Sequence, residues 1–175
     1  MGKPNVIHDF KNSLAYSEVA SDESFWEDVY RKAFPNFVNY MLASGDTASQ
    51  RLGIDRVIIL GNGKILTVDE KKRKEVYQDI LLEYISIDTT GAPGWIEKDL
   101  TIDFLAYAFM PTKRVYLFSW PILRRAWARY KDEWIKTYRN VVAQNNGYKT
   151  LSVAVPIDIL LKAVSTASII QVGNV

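Results

Sequence analysis

The stretch that decides the fold is residues 56–68, RVIILGNGKILTV, in which two runs rich in β-branched residues flank the tripeptide 61–63, GNG. Glycine and asparagine tolerate the positive φ angles that tight turns require, so this pattern predicts a β-hairpin. If all three residues form the loop, Leu60 faces Lys64 across the hairpin. The register of both strands then follows from that pair.

The open end of this hairpin carries the charges that point to chemistry. In the register of a three-residue loop, Asp55 lies opposite Asp69, with Cβ atoms roughly 4.5–5.5 Å apart. Two carboxylates at that distance repel, and a bound cation would remove the conflict. Lys71 lies two residues after Asp69, so the alternation of a strand returns it to the same face. Metal-assisted phosphodiester hydrolysis needs such carboxylates to hold Mg²⁺ against a phosphate and a lysine to assist the attacking water.

The turn leaves a second register open. A two-residue loop at 62–63 would place Asp55 opposite Glu70 and make Lys72 the lysine on that face. We favour the three-residue loop because it puts apolar Ile65 on the same face as the carboxylates and the lysine. In a third interpretation, the charged run that ends the hairpin is only a solvated turn.

Composition limits the other chemistries that the chain could carry. The chain has 175 residues, 48% of them hydrophobic, which suits one packed domain over 1–175, with residues 1–20 loosely ordered. It has no cysteine and a single histidine, His8, so disulfides, thiolate zinc sites and histidine-containing catalytic triads are not expected. A bound metal would therefore have oxygen ligands, which favours Mg²⁺ or Mn²⁺.

The chain shows no sign of a membrane or secretory segment. It has no apolar run of about 20 residues that could span a bilayer, and its first residues lack the apolar stretch of a signal peptide. We therefore expect a soluble, intracellular (cytoplasmic) protein with no membrane partner. The net charge of +2 does not by itself mark a nucleic-acid binder, so the distribution of charge matters more.

Basic side chains concentrate at two places. In the segment 120–140, an apolar stripe at helical spacing predicts core packing, and its members are Leu123, Trp127, Tyr130, Trp134 and Tyr138. Arg124 and Arg125 fall on a separate arc, which is either a phosphate-binding surface or a solvated helix face. Lys72 and Arg73 add a second basic patch beside the proposed metal site.

The whole pattern predicts a mixed α/β domain, with a mixed central sheet flanked by helices. A helix is expected from Ser24, because Ser24 and Glu27 have the spacing of a capping box. The other elements expected are a short helical stretch to about Leu42, a loop at 44–50, the hairpin, a strand at 79–87, a helix at 95–110, a strand at 115–120, a helix from Pro121 to about residue 144, a strand at 151–155 and a helix from Pro156.

Residues 51–72, RLGIDRVIILGNGKILTVDEKK, resemble the signature of the PD-(D/E)XK nucleases. That signature has an aspartate at a strand start and a hydrophobic strand ending in (D/E)-x-K, which Asp55 and the tripeptide 69–71, DEK, match. Ile54 stands where the family often has proline. A wider run, from about residue 25 to residue 163, is similar to small uncharacterised phage-type proteins with this core. The resemblance implies a restriction-endonuclease-like core and a nuclease, that is, a phosphodiester hydrolase.

The resemblance also implies roles for individual residues. Asp55 and Asp69 would be metal ligands, and Lys71 would be the catalytic lysine. The backbone carbonyl of Glu70 would be a further ligand, or its side chain in the alternative register.

Other residues are weaker candidates for the same site. Members of the family often add a glutamate from the first helix, for which Glu23 and Glu27 are candidates, although a capping box already explains Glu27. Glu83 lies in an apolar strand, where a carboxylate needs either a metal or an arginine as its partner. Gln50 and Arg51 could reach the phosphate or only cap the loop.

The leading hypothesis is therefore a Mg²⁺-dependent DNA nuclease that selects structures or ends, or is guided by a partner. The first alternative is a catalytically inactive nucleic-acid- or protein-binding module that retains the nuclease fold. The second is a structural or host-interaction protein whose many aromatic side chains form an interface. Homodimerisation would suit a nuclease that cuts both strands, although no sequence feature demonstrates it.

Overall fold

The computed structural model describes residues 10–43 and 52–169, with side chains from residue 22 onward. The chain groups into a small unit, Met1–Tyr40 with Ile58–Ile65, and a large unit, Met41–Val57 with Leu66–Val175. The expectation of a single domain stays a prediction. The loop expected at 44–50 lies outside the described residues.

The small unit contains α1 (Phe10–Ala33). Trp26 and Tyr30, about one turn apart, are fully buried, and their rings stack with centroids 5.9 Å apart. The predicted helix start at Ser24 is wrong, and so is the capping box, because a residue inside a helix has no free helix end to cap. Residues 10–20, which were expected to be loosely ordered, belong to α1.

The chain leaves α1 at Pro35 and enters β1 (Phe37–Leu42), so the second helical stretch predicted up to Leu42 is wrong. Proline disfavours the helical conformation in the residue before it, which explains why the helix stops here. Phe37, Val38 and Tyr40 then supply the aromatic and β-branched side chains that favour a strand.

The hairpin forms as expected between β2 (Arg56–Leu60) and β3 (Ile65–Arg73). Gly63 N–H donates to the Leu60 carbonyl at 2.9 Å, and Leu60 N–H donates to the Lys64 carbonyl at 3.0 Å. Gly63 has a φ of 78°, a conformation that costs glycine nothing and other residues about 1 kcal/mol or more. The three-residue loop is therefore confirmed, and the two-residue alternative is wrong.

The large unit continues beyond β3 with a series of strands and two helices. They are β4 (Asp79–Ile87), β5 (Ala92–Pro93), β6 (Phe104–Phe109), β7 (Arg114–Ser119), α2 (Trp120–Thr137), β8 (Asn140–Gln144), β9 (Lys149–Pro156) and α3 (Ile157–Ala167), with a short 3-10 helix (Met110–Thr112) between β6 and β7. The strands predicted at 79–87, 115–120 and 151–155 are confirmed, as are helices after the last two. Pro156, predicted to begin the last helix, is instead the final residue of β9.

In one sheet, β2, β3, β6 and β7 are neighbours in that order. β3 and β6 are parallel, with Asp69 beside Leu105 and Lys71 beside Tyr107. β6 and β7 are antiparallel. The coarse fold class is confirmed by this arrangement: an α/β fold with a mixed sheet and flanking helices.

The helix predicted at 95–110 is wrong, because its second half is β6. Every residue from Leu105 to Phe109 is buried, so the strand has no polar face and its sequence lacks the alternation that marks a half-exposed strand. Apolar residues at 96, 100, 104 and 107 matched the helical period by coincidence. Short apolar runs of this kind do not distinguish buried strands from buried helices.

The second sheet runs in the order β5, β4, β9, β8. The helix predicted to reach residue 144 ends at Thr137, because Asn140 donates its side-chain amide to the Ile135 carbonyl at 2.8 Å and closes the helix. Val141 and Val142 then pair with β9 as part of β8. Their β-branched side chains favour that strand over a continued helix.

The predicted apolar stripe of α2 is core. Leu123, Trp127 and Trp134 are at most 2% exposed, and the partly buried Tyr130 and Tyr138 pack against the same core. None of the helices in the described part of the chain is both long enough and apolar enough to span a membrane.

Candidate active site

Asp55 lies just before β2, where the backbone leaves the regular strand. Its N–H donates to the Val68 carbonyl at 2.9 Å, whereas its carbonyl accepts from Ala43 N–H at 3.0 Å. In a regular antiparallel pair, both groups of one residue would face the same partner residue. The strict cross-strand pair predicted with Asp69 is therefore replaced by an irregular one. In this irregular pairing, Asp55 Oδ2 accepts a hydrogen bond from Glu70 N–H at 2.7 Å.

Asp69 is a buried carboxylate in the middle of β3, with 3% of its surface exposed. Its Oδ1 accepts from Lys71 Nζ at 2.5 Å. Its Oδ2 is buried and has no hydrogen-bond partner among the described residues. One oxygen of this carboxylate is thus satisfied, and the other is available for a proton or a cation.

Burial raises the pKa of Asp69 from 3.8 to about 6. The Lys71 ammonium acts in the opposite direction, because it stabilises the ionised carboxylate. Asp55 adds to the rise through charge repulsion and a hydrogen bond. Two carboxylates share a hydrogen bond only when one of them holds a proton, so the contact with Asp55 favours the protonated form of Asp69.

Asp55, Asp69 and Lys71 open into one cavity of about 410 Å³. The described residues that line it are Gly53, Asp55, Asp69, Lys71, Trp95, Lys98 and Leu100. The structure therefore brings together the three residues predicted to form the centre of the site. All of them belong to the large unit.

The donor set suits a hard divalent cation. Carboxylate oxygens are the ligands that Mg²⁺ and Mn²⁺ prefer, and the unpartnered Oδ2 of Asp69 is a buried oxygen that a cation would satisfy. Within residues 10–43 and 52–169, no group of three or more histidine, cysteine, aspartate or glutamate side chains could hold a metal ion. Among the described residues, Asp55 and Asp69 are the carboxylates that line this cavity.

The side chain of Glu70 does not belong to this site. Arg56 Nε donates to Glu70 Oε1 at 2.6 Å, and the two side chains are only 3% and 8% exposed. The metal-ligand role of this side chain in the alternative register is therefore wrong, since the carboxylate is held in a buried ion pair. A role for the Glu70 backbone carbonyl stays a prediction.

A second cavity, of about 340 Å³, adjoins the first. It is lined by Lys71, Lys72, Arg73, Leu81, Glu83, Trp95, Lys98, Tyr107 and Ser152. Glu83 thus lies beside Lys71 but does not line the cavity that holds the two aspartates. The basic patch predicted at Lys72 and Arg73 lines the second cavity.

The other predicted phosphate-binding residues have different positions. Arg124 donates to the Ile96 and Lys98 carbonyls at 2.7 Å each, and Arg125 donates to the Ala167 carbonyl at 2.9 Å. These contacts give both arginines a structural role. Gln50 and Arg51 lie outside the described residues.

The two glutamates proposed from the first helix belong to the small unit. Glu27 forms an exposed ion pair with Arg31 at 2.6 Å, which accounts for its carboxylate in place of the predicted cap. Nothing in the structure assigns a role to Glu23, so its membership of the site stays a prediction.

Trp95 and Lys98 line both cavities, and sequence reasoning missed both of them. They were assigned to a helix that does not form, and their spacing matches no motif. The only local signal is the run 91–94, GAPG, which marks a loop rather than a helix start.

No protein-family model, curated protein or solved structure matches the chain. The resemblance to the PD-(D/E)XK nucleases therefore stays a prediction.

Proposed function

We propose that this protein is a divalent-metal-dependent nuclease of the PD-(D/E)XK type that hydrolyses phosphodiester bonds in DNA. The observation that carries the proposal is the convergence of Asp55, Asp69 and Lys71 on one cavity, with a buried Asp69 oxygen that lacks a partner. A carboxylate held this way costs folding free energy. A cation site would explain why it is present.

Asp55 and Asp69 would hold Mg²⁺ or Mn²⁺. When bound, the ion would supply Lewis-acid polarisation of the phosphate and a lower pKa for bound water. Glu70 N–H fixes the Asp55 carboxylate, so that little reorientation is needed on binding. Lys71 neutralises Asp69 before binding, and its ammonium would then be available to orient the attacking water or to stabilise the charge on the phosphate.

Two features support the restriction-endonuclease-like core. The hairpin β2–β3 carries the aspartates and the lysine, and β6 lies parallel to β3 on the side opposite β2. Between β3 and β6 the chain forms β4 and β5. DNA as substrate and a homodimeric assembly belong to the same proposal.

The proposal is tested by cleavage of plasmid and single-stranded DNA with Mg²⁺ or Mn²⁺. We expect the wild type to cleave, and Asp69→Ala and Lys71→Ala each to lower the rate by about 100-fold or more, since each removes charge stabilisation in the transition state. Asp132→Ala and Lys162→Ala are matched controls, because both residues are exposed and neither lines the two cavities.

The competing function, a catalytically inactive binding module, has two observations in its favour. Lys71 already forms an ion pair with Asp69, and the described residues supply only two grouped carboxylates. A wild type that binds DNA but cleaves no substrate would establish that module. If Asp69→Ala and Lys71→Ala both still cleave DNA, the proposed site is not the active site.

A further inference from the structure

The second cavity has a strongly positive lining. Among the described residues that line it, four are basic, namely Lys71, Lys72, Arg73 and Lys98, and one, Glu83, is acidic. The Arg73 guanidinium is held in place, since it donates to the Tyr107 hydroxyl at 3.2 Å and lies 4.2 Å from the centre of the Tyr77 ring. A concave surface with this charge concentrates anions.

The segment 94–98 is fixed against β4. Gly94 N–H donates to the Tyr84 carbonyl at 3.0 Å, and Ile96 N–H donates to the Glu83 carbonyl at 3.1 Å. A Cβ at position 94 would lie 2.2 Å from the Glu83 carbonyl oxygen, so that only glycine allows this approach. Lys98 N–H then donates to the Gly94 carbonyl at 3.0 Å and closes the turn.

The α2 helix holds the same segment from the other side. Arg124 donates to the carbonyls of Ile96 and Lys98, and Trp127 Nε1 donates to Glu97 Oε1 at 2.9 Å. Hydrogen bonds that involve a charged partner are stronger than those between neutral groups. The backbone of Lys98 is therefore held by several independent contacts.

The Lys98 side chain, in contrast, is exposed and lies where the two cavities meet. In the part of the chain that the structure describes, its ammonium forms no hydrogen bond or ion pair. Lys71, the other lysine common to both cavities, is already paired with Asp69. Lys98 is thus a cation on a fixed backbone whose charge no side chain among the described residues neutralises.

We propose that the second cavity binds a phosphate group of the substrate next to the scissile one, and that Lys98 is the residue that holds it. This inference rests on the proposed nuclease function and specifies its substrate as an oligonucleotide with a phosphate beyond the cleaved bond. That phosphate is either an internal phosphodiester or a terminal monophosphate. Both present anionic oxygens to the same ammonium.

The test measures binding rather than cleavage, in EDTA, with short fluorescent oligonucleotides that do or do not carry a terminal phosphate. Lys98→Ala keeps the backbone N–H and carbonyl that bond to Gly94, Leu100 and Arg124, and Lys162→Ala is the control for loss of an exposed lysine. We expect Lys98→Ala to weaken binding about tenfold relative to the control and to lower the slope of log affinity against log salt by about one.

The two phosphate sources give different results. Weaker binding of every oligonucleotide identifies an internal phosphodiester, whereas a loss confined to phosphorylated ends identifies a terminal phosphate. Equal affinities and salt slopes for Lys98→Ala and Lys162→Ala would overturn the inference, as would a wild type that binds no oligonucleotide. This binding test is independent of the cleavage assay described above. If Lys98→Ala weakens binding but the wild type cleaves no DNA, only the proposed function is refuted.

Discussion

Asp69 combines a charge with a position that disfavours charge. It is 3% exposed, and its pKa of about 6 means that the folded protein holds the proton more tightly than the unfolded chain does. Between pH 3.8 and about 6, the folded state therefore binds more protons, and the free energy of unfolding falls as the pH rises. Above that window the ionised carboxylate costs about 3 kcal/mol of stability.

Replacing Asp69 with asparagine should remove this cost. We expect Asp69→Asn to be more stable than the wild type at pH 8 by up to about 3 kcal/mol, because the neutral amide resembles the protonated carboxyl and the raised pKa already includes the ion pair with Lys71. The advantage should shrink as the pH falls towards 4, where the wild-type carboxyl is neutral as well. Thermal unfolding from pH 4 to pH 8 in EDTA measures the difference.

Asp132→Asn is the control for this experiment, since it removes an exposed carboxylate and should show no such pH dependence. A stability difference between Asp69→Asn and the wild type that stays constant across the range would contradict the assigned pKa.

The centre of the site was predictable because it is local in sequence. A single turn of known length sets which residues of β2 and β3 are neighbours, so the residue types at 55, 69 and 71 could be placed together. Lys98 could not be placed this way. Its position depends on contacts with Glu83 and Arg124, which are distant in the sequence and leave no spacing to read.

At the scale of elements, the segment 94–100 shows how two adjacent arginines can have different tasks. Arg124 binds the segment through the Ile96 and Lys98 carbonyls, whereas Arg125 binds the last residue of α3, Ala167. Both were predicted to lie on a helix face that either binds phosphate or is only solvated. Because the two arginines hold different segments, a substitution of one is a matched control for a substitution of the other.

We expect Arg124→Ala to loosen the segment, and Arg125→Ala to leave it unchanged. Loss of two charge-assisted hydrogen bonds should raise amide hydrogen exchange at Ile96 and Lys98 by tenfold or more, which corresponds to about 1.4 kcal/mol. Exchange measured by NMR on both variants provides the comparison. Equal exchange at these two amides in both variants would show that Arg124 does not fix the segment.

The elements that sequence patterns predicted correctly are bounded by turn or proline signals. β7, β9 and α3 follow their patterns, and the GNG turn defines the hairpin. The errors fall where two states share a pattern. Residues 104–109 are buried throughout, and a buried strand then looks like a buried helix. Residues 140–144 continued the helical composition but pair with β9 instead.

At the scale of the whole molecule, a bound cation should stabilise the folded protein. A ligand at about 100 times its Kd adds roughly 2.7 kcal/mol, which for a chain of this size raises Tm by about 5–10 °C. We expect Mg²⁺ to produce such a rise at pH 8 in the wild type. Differential scanning calorimetry measures it.

The same titration on Asp69→Asn is the control, because this variant keeps the shape of the site but loses one charged ligand. We expect its Tm to stay nearly constant when Mg²⁺ is added. An equal rise in both proteins would place the ion elsewhere.

The sequence patterns did not predict which strands belong to which of the two sheets. β4 was correctly predicted as a strand, but its apolar sequence does not reveal its partners. It pairs with β9 and β5, not with the hairpin that precedes it. Which sheet a buried strand joins depends on packing across the whole domain, and hydrophobic pattern alone leaves several pairings with similar burial.

The β4–β9 pair also has a consequence for how the protein is made. Asp79 pairs with Pro156, so β4 leaves the ribosome long before its partner strand has been synthesised. During that delay Ile80 and Leu82, which are fully buried at the end, have no sheet to cover them. Pairings between distant segments form slowly and leave apolar strands open to aggregation in the meantime. We therefore expect the nascent chain to depend on chaperones until residue 156 has emerged.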